Sequence, residues 1–266
     1  MTAVATIQFT GVRRVFRGRG GATHTALDGI DLLVDSEHRV GVVGESGSGK
    51  STLVRLMVGL DRPSAGEIEW GGVSIASMGT AALRNFRREV QLVAQDTSSS
   101  FDPRRTLRDT LRRPCRNLLD LDTPAADAAI DATLEALSLD AALAERKPHQ
   151  VSGGQRQRFA IARALVVEPR IIVCDEAVSA LDVSVQGSVL NLLKEHCERR
   201  GAGLVFVSHG LPATAFLVDE LLVMYQGAIV ERGSTAQVLF AGRHAYTRAL
   251  VDAYRTTAGE LTPEAV

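Results

Sequence analysis

Short apolar segments interrupted by glycine and charge occupy Ala5 to Phe16 and Gly29 to Val34, a pattern that predicts strands of an N-terminal antiparallel layer. A similar patch runs from Gly66 to Ile75. Between them, the apolar run Val40-Gly41-Val42-Val43 leads into a glycine-rich turn and then Lys50 to Leu60, where Leu53, Leu56, Met57 and Leu60 recur at helical spacing. This is a strand-loop-helix unit. From Pro103 to Lys147 the β-branched residues thin out and Ala, Leu, Arg and Asp dominate, with breaks expected at Pro114, Pro124 and Pro148. That segment reads as a helical insertion. Alternation then returns: a helix from Gln155, a strand Ile171 to Cys174, a helix Ser184 to Arg199, a strand Leu204 to Val207, a short helix, and a strand Leu221 to Tyr225. The rhythm implies βαβ units and a parallel sheet. The expected organisation is one α/β domain over residues 1–255, with the insertion at about 100–165 and a polar, fraying tail over 256–266.

The length of 266 residues suits one large domain, or one domain with an insertion. Charge adds an exclusion. Lys+Arg 30 against Asp+Glu 31 leave a formal charge of -1, so no whole-chain field points to a nucleic-acid partner or a polybasic membrane anchor. Apolar stretches such as Leu221 to Tyr225 fall far short of the roughly 18 residues of a membrane-spanning helix. Met1 to Thr10 lacks the cationic and apolar regions of a signal peptide, which makes the cytoplasm the expected compartment. Cys115, Cys174 and Cys197 show no C-x-x-C spacing, and Cys174, inside an apolar run, reads as a small buried hydrophobe.

Chemistry is concentrated in a few places. Gly44-Glu45-Ser46-Gly47-Ser48-Gly49-Lys50-Ser51 fits the phosphate-loop pattern G-x-x-x-x-G-K-[ST], placed after a strand and opening a helix. Its glycines let backbone N–H groups turn onto phosphate oxygens, Lys50 supplies a point charge, and the Ser51 hydroxyl can ligate Mg²⁺. Further on, Ile171 to Cys174 ends in Asp175-Glu176, at the strand end where open α/β sheets place ligands. Neighbouring strand residues face opposite sides, so the two acids take different jobs. Asp175 suits direct or water-mediated contact with Mg²⁺, and Glu176 the general base for an attacking water. A second glycine-rich helix start, Val151-Ser152-Gly153-Gly154-Gln155, has Ser152 as N-cap and exposes backbone N–H groups. In isolation this segment reads first as a well-capped helix; as an anion site, a helix terminus contributes only about 0.3 to 1 kcal/mol to an exposed charge, so it would act on a nucleotide anchored elsewhere, most economically by a second subunit.

With Ser179-Ala180-Leu181-Asp182 added, these segments resemble the Walker A, signature, Walker B and D-loop of the ATP-binding cassette (ABC) ATPases, in that family's order and across nearly the whole chain. Gln95 matches the Q-loop, and His209, after Val205-Phe206-Val207-Ser208, the switch histidine. The resemblance implies a P-loop NTPase parallel-sheet core, an N-terminal antiparallel β layer and a helical insertion subdomain. Its ligands would be ATP and Mg²⁺. It also implies a head-to-tail dimer, with each ATP between the phosphate loop of one subunit (Gly44 to Thr52) and the signature of the other (Ser152, Gly153, Gly154, Gln155). Within this scheme Ser51, Gln95 and Asp175 serve the metal, Glu176 the water, His209 the γ-phosphate, and Asp182 the link between sites. Phe16 resembles the aromatic that stacks on adenine, with packing in the core as its other reading.

Two segments narrow the resemblance. Gln95-Asp96-Thr97-Ser98-Ser99-Ser100-Phe101-Asp102-Pro103-Arg104 is similar to the extended Q-loop of the oligopeptide/dipeptide/nickel importer ATPases, and Arg243-His244-Ala245-Tyr246-Thr247-Arg248-Ala249-Leu250 to that group's C-terminal His-Pro-Tyr-Thr motif. Pro148-His149 also fits. Thr97 and Ala245 stand where the group usually has Pro, Ala177 replaces the Pro after the catalytic Glu, and Gly210 follows His209 where Asp is common. No catalytic group is lost. The implied role is a peripheral ATPase at the cytoplasmic face of the membrane, pairing with itself or a paralogue, docking on permease subunits and served indirectly by a solute-binding protein. The alternatives are an exporter or lipoprotein-release ATPase, and a soluble ABC ATPase of translation or DNA repair.

Overall fold

The computed structural model describes residues 4–18, 21–96, 100–178 and 183–258. The chain begins with β1 (Thr6–Arg17), β2 (Thr23–Asp35), β3 (Arg39–Val43), α1 (Lys50–Met57), β4 (Ala65–Trp70), β5 (Val73–Ser74), α2 (Thr80–Glu89) and β6 (Val90–Val93). The insertion supplies α3 (Leu107–Leu119), α4 (Thr123–Ala136) and α5 (Gly153–Leu165). After it come β7 (Ile171–Asp175), α6 (Val183–Arg200), β8 (Gly203–Val207), α7 (Leu211–Leu217), β9 (Glu220–Tyr225), β10 (Ala228–Ser234), α8 (Thr235–Ala241) and α9 (Ala245–Ala258).

Two sheets result. The N-terminal strands form an antiparallel sheet in the order β2-β1-β4-β5. The second sheet runs β10-β9-β3-β8-β7-β6, parallel throughout except for β10, which turns back on β9 at one edge. Its central strands are apolar on both faces, as burial between two layers demands. Strand alternation divides them between two cores. Val42, Val173 and Val205 face α1 and the antiparallel sheet, packing with Leu53, Phe9 and Leu27. Cys174, Phe206 and Val223 face the helices, with Phe159 and Leu193. Each large aliphatic side chain so buried contributes roughly 1.5 to 3 kcal/mol, which makes this sheet the rigid member that carries the loops at its strand ends.

The expected elements recur with identifiable changes. Helix α1 stops at Met57 rather than Leu60, because Gly59 turns left-handed (φ 67) and a Schellman motif closes the end, with Gly59 N–H bonding the Leu56 carbonyl and Leu60 N–H the Arg55 carbonyl. Pro114 does not break the insertion but lies within α3, whose Leu107, Leu111 and Cys115 are fully buried on both sides of it. Burial of that stripe outweighs the one backbone bond a proline removes. Pro124 instead starts α4, behind the N-cap Asp122. Helix α9 continues to Ala258, past the expected start of the tail. The three cysteines are free and buried, and burial pushes the Cys174 thiol up, as for a small core hydrophobe.

Candidate nucleotide site

Strand β3 delivers the chain to Gly44 at the end of the parallel sheet, and the backbone there admits no side chain. At Gly44 (φ 152) a Cβ would lie 2.2 Å from the Met224 carbonyl oxygen, and at Gly49 (φ 105) 2.4 Å from that of Ala26. Helices α3, α4, α5 and α8 are capped by the side chains of Thr106, Asp122, Ser152 and Ser234, whereas α1, entered from Gly49, has no side-chain cap. The first-turn N–H groups of Lys50, Ser51 and Thr52 therefore have no intrahelical partner, which is the arrangement that binds an anion. Lys50 is buried, and its Nζ donates to the carbonyls of Gly44 and Glu45, each at 2.7 Å. Burial lowers its pKa, against the opposing charges of Glu176, Asp175 and Glu45. Ser48 Oγ is buried and meets no hydrogen-bond partner, a polar group in want of one.

Beside the loop opens a cleft of about 340 Å³, lined among others by Phe16, His24, Ser46, Gly47, Gln95 and Glu176. Phe16 is 40% exposed, which ends its reading as a core residue. The Arg14 guanidinium covers its ring at 4.5 Å, and His24 sits opposite it in the β1–β2 register.

The paired acids separate, but by a turn at Glu176 rather than by strand alternation, because β7 ends at Asp175. Asp175 ends β7, and its Oδ1 accepts from Ser51 Oγ at 3.4 Å. Burial raises its pKa; the Ser51 bond and the Lys50 charge oppose that, and the Glu176 charge adds to it. Glu176 leaves the strand in a left-handed conformation (φ 48), its N–H held by the Val207 carbonyl. That turn carries its carboxylate away from Asp175 to a different set of partners. Gln95 Nε2 donates to Glu176 Oε2 at 2.6 Å, and His209 Nδ1 lies 3.4 Å from Oε1. One carboxylate thus joins residues that lie just beyond the ends of β6, β7 and β8.

A metal would find oxygen donors here but no cage. No group of three or more His, Cys, Asp or Glu able to hold an ion occurs among the described residues. The Ser51 hydroxyl and the Asp175 carboxylate fit Mg²⁺, a hard cation that takes one or two protein oxygens together with phosphates and water.

The remaining predicted residues lie apart. At the start of α5, Ser152 Oγ accepts from the Gln155 N–H while Gln155 Oε1 accepts from the Ser152 N–H. This capping box leaves Gly153 and Gly154 with open N–H groups. Ser152, Gly153, Gly154 and Gln155 do not line the cleft of their own chain. Asp182 and Thr97 fall outside the described residues. Gly210 donates its N–H to Ser208 Oγ at 2.9 Å, so a serine hydroxyl shapes the turn after His209. Sequence reasoning missed His24 and the contact of Tyr246 with the loop, where Tyr246 Oη accepts the Glu45 N–H at 2.8 Å. The strand register opposite Phe16 could have found the first; 201 positions separate the partners of the second.

Comparison with known proteins identifies the family. A family model described as ABC transporter matches residues 27–179. The oligopeptide transport ATP-binding protein OppF of Lactococcus lactis subsp. lactis (strain IL1403) is 37% identical over 242 residues, spanning 91% of this chain and 76% of that protein. The nickel import ATP-binding protein NikE of Escherichia coli O157:H7 is 41% identical over 213 residues, 80% of each. Among solved structures, the dimeric post-hydrolysis state of the ATP-binding cassette MJ0796, bound to ADP and Pi, superposes with a TM-score of 0.78 at 26% identity, covering 86% of this chain and 98% of that one. The cbiO1 structure from Clostridium perfringens shares the fold at a TM-score of 0.76 and 21% identity, covering 95% of each chain. Phosphate loop, paired acids, fold and relatives converge, and the chain belongs to the ABC transporter family of ATPases, in the group that includes the oligopeptide and nickel import proteins.

Proposed function

We propose that this chain is the ATP-hydrolysing subunit of a membrane importer for peptides, nickel or a related small solute, acting at the cytoplasmic face as one half of a head-to-tail ATPase pair. The observation that carries the reading is the Glu176 carboxylate, set between Gln95 and His209 at the mouth of the phosphate loop. ATP would seat its phosphates on the N–H groups of Lys50 to Thr52, with Lys50 Nζ exchanging loop carbonyls for phosphate oxygens and Phe16 under the base. Mg²⁺, held by Ser51 and, directly or through water, by Asp175, would neutralise phosphate charge. Glu176 would orient and deprotonate the attacking water, with Gln95 fixing one carboxylate oxygen and His209 reaching the γ-phosphate. The open N–H groups of Gly153 and Gly154 would serve the nucleotide held by the partner subunit, and Asp182 would relay between the two sites.

A groove of about 560 Å³ between α2, β6 and α3 gives the permease a place to dock. It includes Leu60, left 58% exposed by the early end of α1, together with Leu83, Gln91 and Pro114. Gln91 lies in β6 and Gln95 two residues beyond its end, so closure of the nucleotide site and movement of the groove would be linked through one strand.

The test is Glu176→Gln. Steady-state ATP hydrolysis should fall by at least about a hundredfold, the scale of a lost general base, while ATP still binds and traps a closed dimer. Near-normal turnover would remove Glu176 from the role of base.

A further inference from the structure

The His-Ala-Tyr-Thr segment, singled out only as a mark of subfamily, makes a direct contact with the phosphate loop. Tyr246, in the first turn of α9, accepts the Glu45 backbone N–H on its phenol oxygen at 2.8 Å. The carbonyl of the same residue accepts from Lys50 Nζ at 2.7 Å. Glu45 is thus fastened at both its polar backbone atoms, one to α9 and one to the lysine that meets phosphate. The tyrosine is itself held in place. Its ring packs on Tyr225 at the end of β9, with centroids 4.3 Å apart, and its N–H donates to His244 Nδ1 at 3.2 Å. The turn before it is anchored by Glu231 of β10, which accepts the N–H groups of Arg243 at 2.6 Å and His244 at 3.0 Å.

We infer that Tyr246 is a positioning residue of the nucleotide site: by accepting the Glu45 N–H it holds the leading limb of the phosphate loop, and the C-terminal helix thereby sets nucleotide affinity. The inference rests on the phosphate-loop reading of Lys50. Tyr246 touches no reacting atom; it acts through the Glu45 peptide, which a hydroxyl can satisfy and a phenyl ring cannot.

The experiment uses the full chain and two variants, with a non-hydrolysable ATP analogue plus Mg²⁺ as probe. Tyr246→Phe keeps the ring on Tyr225 and removes only the acceptor oxygen. Its dissociation constant should rise about two- to tenfold, the scale of one net hydrogen bond. Amide exchange should quicken in peptides covering residues 40–52 and stay unchanged in the helical insertion. An unchanged dissociation constant overturns the inference, and so does quickened exchange throughout the chain, which would make the tyrosine a packing residue. Lys50→Ala separates this from the underlying reading. If it abolishes binding while Tyr246→Phe leaves binding intact, only the role of Tyr246 fails; if Lys50→Ala itself binds normally, the phosphate-loop reading fails.

Discussion

His196, on α6, borders a cavity of about 470 Å³ reached also by Thr133 and Leu192, and its Nε2 is buried without a hydrogen-bond partner. Burial, followed by the charges of Arg200 and Arg199, pushes its pKa down to about 4 from 6.5, against the opposing charge of Glu168. Below pH 6.5 the unfolded chain takes up a proton here that the folded chain refuses, so stability falls as pH drops from 6.5 towards 4. Discounted for partial exposure, the loss by pH 5 is about 1 kcal/mol. Urea midpoints at pH 7 and pH 5 should therefore converge in His196→Gln relative to the parent chain. An equal drop in both proteins would show that this histidine does not titrate differently on folding.

The helical insertion depends on a charge network between its elements. Arg112 of α3 makes paired bonds to Asp127 of α4, at 2.7 and 2.8 Å, and a third to Asp109 at 3.0 Å. Arg108, one turn earlier, reaches Asp131 of α4 and Glu145 of the short 3-10 segment Ala141–Glu145. The Arg112 bond, above all, holds the Asp127 carboxyl below the usual carboxylate range. A paired, partly buried contact of this kind exceeds an ordinary surface ion pair. Arg112→Met, which keeps the stem and deletes the fork, should cost about 1 to 2 kcal/mol in urea unfolding. A change within a few tenths of a kcal/mol would reduce the network to surface decoration. Other elements show where sequence was informative. Strands β3, β7, β8 and β9 were legible because burial on two faces writes continuous apolar runs. Helix α2 was not, since Phe86 is its one buried residue, nor was β10, an edge strand with half-exposed Ile229 and Val230. The site was more legible than these elements, because Gly44 to Ser51 and Asp175-Glu176 are local patterns tied to chemistry. What stayed hidden was contact between distant segments, such as Tyr246 with Glu45 or Gly210 with the Ser208 hydroxyl in place of an acid.

At the scale of the molecule, no helix among the described residues is long and apolar enough to cross a membrane. The proposed docking of a permease uses the groove between α2 and α3. Leu60→Glu places a charge on that groove at a position clear of the nucleotide cleft. It should abolish co-purification with permease chains while leaving ATP-analogue affinity unchanged; continued co-purification would move the docking surface elsewhere. Lys50 has a different consequence. Its ammonium already rests on two carbonyls of its own loop, so on the proposed function nucleotide arrival would swap one set of oxygens for another rather than order a loose side chain. Product departure would then reverse the swap. Between turnovers the lysine, unlike the Ser48 hydroxyl beside it, would idle in a satisfied state, and its net gain on capturing ATP would be smaller than a tally of its phosphate contacts suggests.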